Sequence, residues 1–203
     1  MYPFLEDLDE YFCAQYAKTI AVLSIPGYVV PPEGWRADRY STEEPLPENM
    51  RLSHQPNKRE LLARFKASYV DKDFSFSFRA LTAGERWENL RAKRTLRHAL
   101  VEYLKRHGED AHSFFEKIGL NGEIWKGILA GKYYPAKKTL FAIAAAAGMS
   151  ISECRELLSL CGERFSSEEV SDVVMCYLLN YRIFNPVMMQ AAFDEYGVKN
   201  ILL

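Results

Sequence analysis

Between Thr95 and Gly162, apolar residues recur at three- and four-residue intervals in five short segments, with glycines or capping residues at the junctions. That spacing predicts five short helices rather than strands. Leu96, Leu100 and Tyr103-Leu104 define the first, which ends near His107-Gly108. Asp110 is placed to cap a second, with Phe114, Phe115 and Ile118 facing inward. Gly119 supplies a turn in which a positive φ costs little. Asn121 is placed to cap a third helix whose core side holds Ile124, Trp125 and Ile128. Gly131-Lys132 closes that helix, Pro135 punctuates the loop, and an alanine-rich fourth helix runs from Thr139 to Ala147 with Leu140 and Ile143 inside. Gly148-Met149-Ser150 makes the last turn, and Ser150-x-x-Glu153 reads as a capping box opening a fifth helix through Leu157, Leu158 and Cys161.

These positions carry a resemblance. His107-Gly108, Ile118-Gly119-Leu120, Ile128, Gly131-Lys132, Pro135, Thr139-Leu140, Ile143-Ala144, Gly148-Met149-Ser150 and Glu153 stand at the spacing of the phage-repressor (Cro/repressor-type) helix-turn-helix family. The stretch Gly108–Glu153 resembles that family without gaps, and with its flanks at 95–162 it covers about a third of the chain. The resemblance implies a five-helix domain that binds double-stranded DNA, with the third helix in the major groove. The side chains it places toward bases are Asn121, Gly122, Glu123, Lys126 and Gly127. Lys126, Lys132, Tyr133, Tyr134, Lys137 and Lys138 cluster on the third helix, the following loop and the start of the fourth, a region from which family members touch the sugar-phosphate backbone. The chain departs from the family at the second helix, which often starts with Gln and here has Ala111. It departs again at Gly122, Glu123 and Gly127, where polar readers are common. Those departures keep open an alternative, a protein-interaction module on a helix-turn-helix scaffold that does not read DNA.

Charge follows the same partition. Residues 91–162 carry 12 basic and 7 acidic side chains, a net +5, whereas 1–90 and 163–203 each carry −3, so that the whole chain is −1. A basic middle between acidic flanks favours a polyanion partner, with a solvated helical surface as the plain alternative.

Residues 1–90 match no family and read as an α-rich segment with a long proline-rich connection. Phe4, Leu5, Leu8, Phe12, Tyr16 and Ile20 predict a helix from Phe4 to about Leu23. Six prolines within 24–57 predict an irregular connection, and its aromatic residues predict that it wraps over the domain. Leu61, Leu62, Phe65 and Tyr69 mark a helix over 58–70, and Phe74-Ser75-Phe76-Ser77-Phe78 alternates like a short strand without an evident partner. Thr82-Ala83-Gly84-Glu85 predicts a capping box, and the helix behind it leads into a basic run of Arg86, Arg91, Lys93, Arg94 and Arg97. Residues 163–203 predict a C-terminal helical hairpin, opened by Ser166-x-x-Glu169 and again by Asn185-Pro186. Its apolar stripe either completes a core with the N-terminal segment or offers a surface for a homodimer or another protein.

The expected fold is therefore mainly α, divided into 1–90, 91–162 and 163–203. No nucleotide-binding, nucleophile-elbow or zinc-protease motif occurs. His107 and His112 lie near Glu109 and Asp110 but read as solvated turn residues, so no cofactor or metal is expected. Cys13, Cys154, Cys161 and Cys176 form no C-x-x-C. No stretch suits a membrane span or a signal peptide. The expectation is a cytoplasmic, non-enzymatic DNA-binding protein that regulates transcription.

Overall fold

Side-chain caps set several of the helix starts. The computed structural model describes residues 2–16, 52–55, 57–69, 71 and 78–199. The second half of the first expected helix, most of the proline-rich connection and Phe74–Ser77 lie outside the described residues. Within them the fold is mainly helical: α1 (Phe4–Tyr16), α2 (Lys58–Ser68), α3 (Ala83–Arg91), α4 (Leu96–Arg106), α5 (Phe114–Lys117), α6 (Gly122–Leu129), α7 (Lys137–Ala146), α8 (Ile151–Leu160), α9 (Val170–Asn180) and α10 (Pro186–Glu195). Two short strands, β1 (Phe78–Ala80) and β2 (Tyr133–Pro135), pair antiparallel. No described helix is long and apolar enough to cross a membrane.

The chain divides into two compact units. The first comprises Met1–Lys72, Ser166–Tyr177 and Val187–Lys199; the second comprises Asp73–Phe165, Leu178–Pro186 and Asn200–Leu203.

In the first unit, α1 and α2 bury Leu5, Leu8, Phe12, Leu61, Leu62 and Phe65 together with Val173, Tyr177, Phe193 and Tyr196 from the C-terminal arm. Phe12 lies 5.5 Å from the Phe65 ring and 4.5 Å from the Tyr196 ring, spacings at which aromatic pairs attract beyond their buried area. Tyr196 donates to Asp9 at 2.7 Å, and Tyr177 donates to the Phe4 carbonyl at 3.1 Å. Much of the apolar stripe of the hairpin is thus spent on a shared core with the N-terminal helices. The helix after Ser166 starts at Val170, with the Glu169 carbonyl accepting the Val173 amide, while the Ser166 hydroxyl accepts from the Glu168 amide.

In the second unit, Thr82 and Glu85 close a reciprocal capping box on α3, and Ser150 and Glu153 close another on α8. Asn121 caps α6 by accepting from the Glu123 amide at 2.8 Å and the Ile124 amide at 3.4 Å. The second expected helix is the shortest: Asp110 accepts from the His112 and Ser113 amides, and only Phe114–Lys117 turn helically before Gly119, whose φ of 64° ends the turn. Trp125 is fully buried and donates its indole N–H to the Ala111 carbonyl at 2.7 Å, fastening α6 to the turn ahead of α5. Its ring lies 6.0 Å from that of Phe114, and Leu100, Leu104, Ile128, Leu140, Ile143, Leu157 and Leu158 of the same unit are likewise nearly inaccessible.

Glu153 and Glu156 of α8 hold that helix to α4 and its flanks by charge as well as packing. Glu153 accepts from Arg106 at 2.8 Å and lies 3.0 Å from His107 Nε2, at the C-terminal end of α4. His107 is accordingly half-buried and paired, not a freely solvated turn residue. Glu156 accepts from both Arg94 and Tyr103.

Candidate nucleic-acid interface

Phe78, the last residue of the alternating run, opens the short strand β1. β1 pairs with β2 in the register Phe78 with Pro135, Arg79 with Tyr134 and Ala80 with Tyr133, and the Leu81 amide donates to the Lys132 carbonyl at 3.0 Å. No local pattern announces this pairing, because the partner is a three-residue segment ending in proline. Its effect is to pin the loop that follows α6.

That loop and helix carry the sequence-predicted site. Lys132 is exposed, and Lys137 and Lys138 are half-exposed on the first turn of α7. Helix α7 starts behind Ala136 with no side-chain cap, and its first turn has no acidic residue. Two lysines at the positive end of a helix dipole concentrate positive potential there. From Ile124 to Ser152 the chain contains four lysines and neither Asp nor Glu.

Five more of the predicted residues have these partners. Asn121 uses its side-chain oxygen as the cap of α6. Glu123 and Lys126 pair with each other at 2.8 Å on the outer face, and the Lys126 ammonium holds the Glu123 carboxyl below its ordinary range. Tyr134 is buried, bonds Asn89 through its hydroxyl at 3.0 Å and lies under the Arg79 guanidinium. Tyr133 is half-buried beside Phe78, with ring centroids 4.8 Å apart.

The glycines of α6 have a packing cause. A Cβ at Gly127 would stand 2.3 Å from the Tyr133 ring, and one at Gly122 would stand 3.2 Å from the Phe115 ring. Aromatic rings occupy the space where side chains would otherwise project from this helix.

Residues outside the predicted site complete the surface. Arg86, Arg97, His98 and Lys132 line a groove of about 420 Å³, bordered by α3, the start of α4 and the turn after α6. None of the groove's lining residues is acidic. Arg86 and Arg97 belong to the basic run legible in the sequence, but their meeting with Lys132 depends on the β1–β2 pairing and on α3. Helix α3 itself buries no residue. It is held by its capping box, by Arg79 on Glu85 at 2.7 Å and by the Asn89–Tyr134 bond. Hydrogen bonds from Arg79 and from the Thr82 amide bring the Glu85 carboxyl down to about 2. The cleft of the first unit is the opposite case. Five carboxylates line it beside three cations, and two of the cations are paired, Lys58 to Glu10 at 2.8 Å and Lys66 to Asp9 and Glu195 at 2.6 and 2.9 Å.

Comparison with models of known protein families, with curated proteins and with solved structures gives no match.

Proposed function

We propose that this protein binds double-stranded DNA through the second unit and acts as a transcriptional regulator of the Cro/repressor helix-turn-helix type. The observation that carries the reading is the carboxylate-free lysine stretch from α6 into α7, held on a loop that the β1–β2 pairing pins. In this reading Lys132, Lys137 and Lys138 contact phosphates, with Tyr133 as a hydroxyl donor, and the α7 N-terminus adds its dipole. Asn121, Glu123 and Lys126 lie at the outward end of α6, where base edges would pass. Tyr134 positions the loop through its bond to Asn89. The role is binding and not catalysis.

Such a surface gives salt-sensitive affinity with limited choice of sequence. A second copy, docked through the C-terminal hairpin, would double the contacts and add half-site spacing. The test is fluorescence anisotropy of a labelled random duplex at low salt. The wild-type protein binds, and the Lys132→Glu, Lys137→Glu, Lys138→Glu triple variant loses most of that affinity while keeping its circular dichroism. Equal binding by both proteins would overturn the assignment.

One set of observations favours a second reading, in which the same scaffold binds a protein. The outer face of α6 presents a self-neutralised Glu123–Lys126 pair and two glycines covered by rings, which leaves few groups to read bases.

A further inference from the structure

The groove between α3 and the turn after α6 is the most one-sided concentration of charge among the described clefts. Arg86 and Arg97 are exposed, and neither has a carboxylate partner among the described residues. Several other cations of the second unit are matched: Arg79 with Glu85, Arg94 with Glu102 and Glu156, Arg106 with Glu102 and Glu153, Lys117 with Glu109. The first turn of the eleven-residue α4, which contributes Arg97 and His98, carries no acidic residue either, so its dipole adds to the same sign.

We propose that this groove is a phosphate cradle, in which Arg86, Arg97 and Lys132 contact the sugar-phosphate backbone of the duplex beside the strand that α6 faces. The inference rests on the duplex-binding reading and extends it to a helix outside the resemblance. Shape favours a continuous backbone over a small phosphorylated ligand. Sites for small ligands bury most of the ligand's surface, whereas Arg86, Arg97, His98 and Lys132 are exposed around an open groove. Arginine suits the task because its planar fork presents paired donors to phosphate oxygens. The lining is partly apolar, with Leu96 and Ile128 buried in it, and it holds no carboxylate to compete for the guanidinium groups.

The test measures duplex affinity by anisotropy across a series of salt concentrations. Each phosphate contact contributes about 0.9 to the slope of log K against log salt. The Arg86→Ala, Arg97→Ala variant is expected to bind at least about tenfold more weakly at low salt, with a slope shallower by about 1.8. Both side chains are solvent-exposed, so its circular dichroism and melting stay those of the wild type. A control with the same charge loss, Lys105→Ala with Arg155→Ala, is expected to keep the wild-type slope. Unchanged affinity and slope in the arginine variant would overturn the cradle while leaving duplex binding intact. Equal losses in variant and control would also overturn it, because net charge alone would then explain the effect. No duplex binding by the wild type at low salt would overturn the cradle and the reading beneath it together.

Discussion

Gly127 and Gly122 face the same question, what a methyl group would meet, and answer it differently. At Gly127 the Tyr133 ring occupies the position, with carbons 2.3 Å from where Cβ would lie. Alanine there gains about 1 kcal/mol of helix propensity but forces overpacking that costs about 1–3 kcal/mol. Gly127→Ala is therefore expected to destabilise by about 1 kcal/mol and to shift Tyr133 out of register. At Gly122 the nearest atoms are the far edge of the Phe115 ring at 3.2 Å, and Phe115 is only half-buried. Gly122→Ala is expected to stay within about 0.5 kcal/mol of the wild type, because a small ring adjustment suffices. Urea denaturation of the two variants checks the contrast, and a larger loss at Gly122 would contradict it. Trp125 tests the same helix from its buried side. Trp125→Phe removes the bond to the Ala111 carbonyl and leaves a cavity, at a cost of about 2–4 kcal/mol by the same assay. A loss under about 1 kcal/mol would mean that the carbonyl finds another donor.

Glu153 decides how α8 meets α4. Burial works against its charge, but hydrogen bonds from the Ser150 amide, His107, the Ser150 hydroxyl and Arg106 outweigh that penalty. They take the carboxyl from its ordinary 4.5 down to about 2. A depressed carboxyl contributes stability that is complete above the unfolded value and disappears as pH falls through the folded one. The α4–α8 contact should thus weaken between about pH 4.5 and pH 2. Glu153→Gln should be less stable than the wild type at pH 7, with the difference shrinking across that acid window. Thermal melts at pH 7, 4 and 2.5 check this, and a difference independent of pH would contradict it. The capping boxes at Thr82 and Ser150 and the Asn121 cap are legible in the sequence, because each depends on residues no more than three apart. Helix α5 is legible in place but not in length: Asp110 satisfies the amides of a turn, and the helical part begins only at Phe114. The β1–β2 pairing is not legible, since its strands are separated by four helices and one of them ends in proline.

For the molecule as a whole, the C-terminal arm shows why sequence pattern stops short. The stripe Val170, Val173, Val174, Tyr177 is the same whether it covers a partner chain or the N-terminal helices. Here the stripe is buried, and Tyr177 ties it to the N-terminal helix through the Phe4 carbonyl and the Tyr11 ring. The candidate site divides along similar lines. The lysines of α6–α7 could be chosen by position, whereas Arg86 and Arg97 join Lys132 only through the folded groove. Both sets belong to the second unit, whereas the first unit's cleft is lined by more carboxylates than cations. The most direct test is an amide chemical-shift map of the 23.4 kDa protein titrated with an unlabelled random duplex at low salt. The account predicts shifts concentrated in residues 83–98 and 121–138, including the exposed Trp87 indole, and little change in the helices of the first unit. Shifts confined to the first unit, or none at all at low salt, would contradict it.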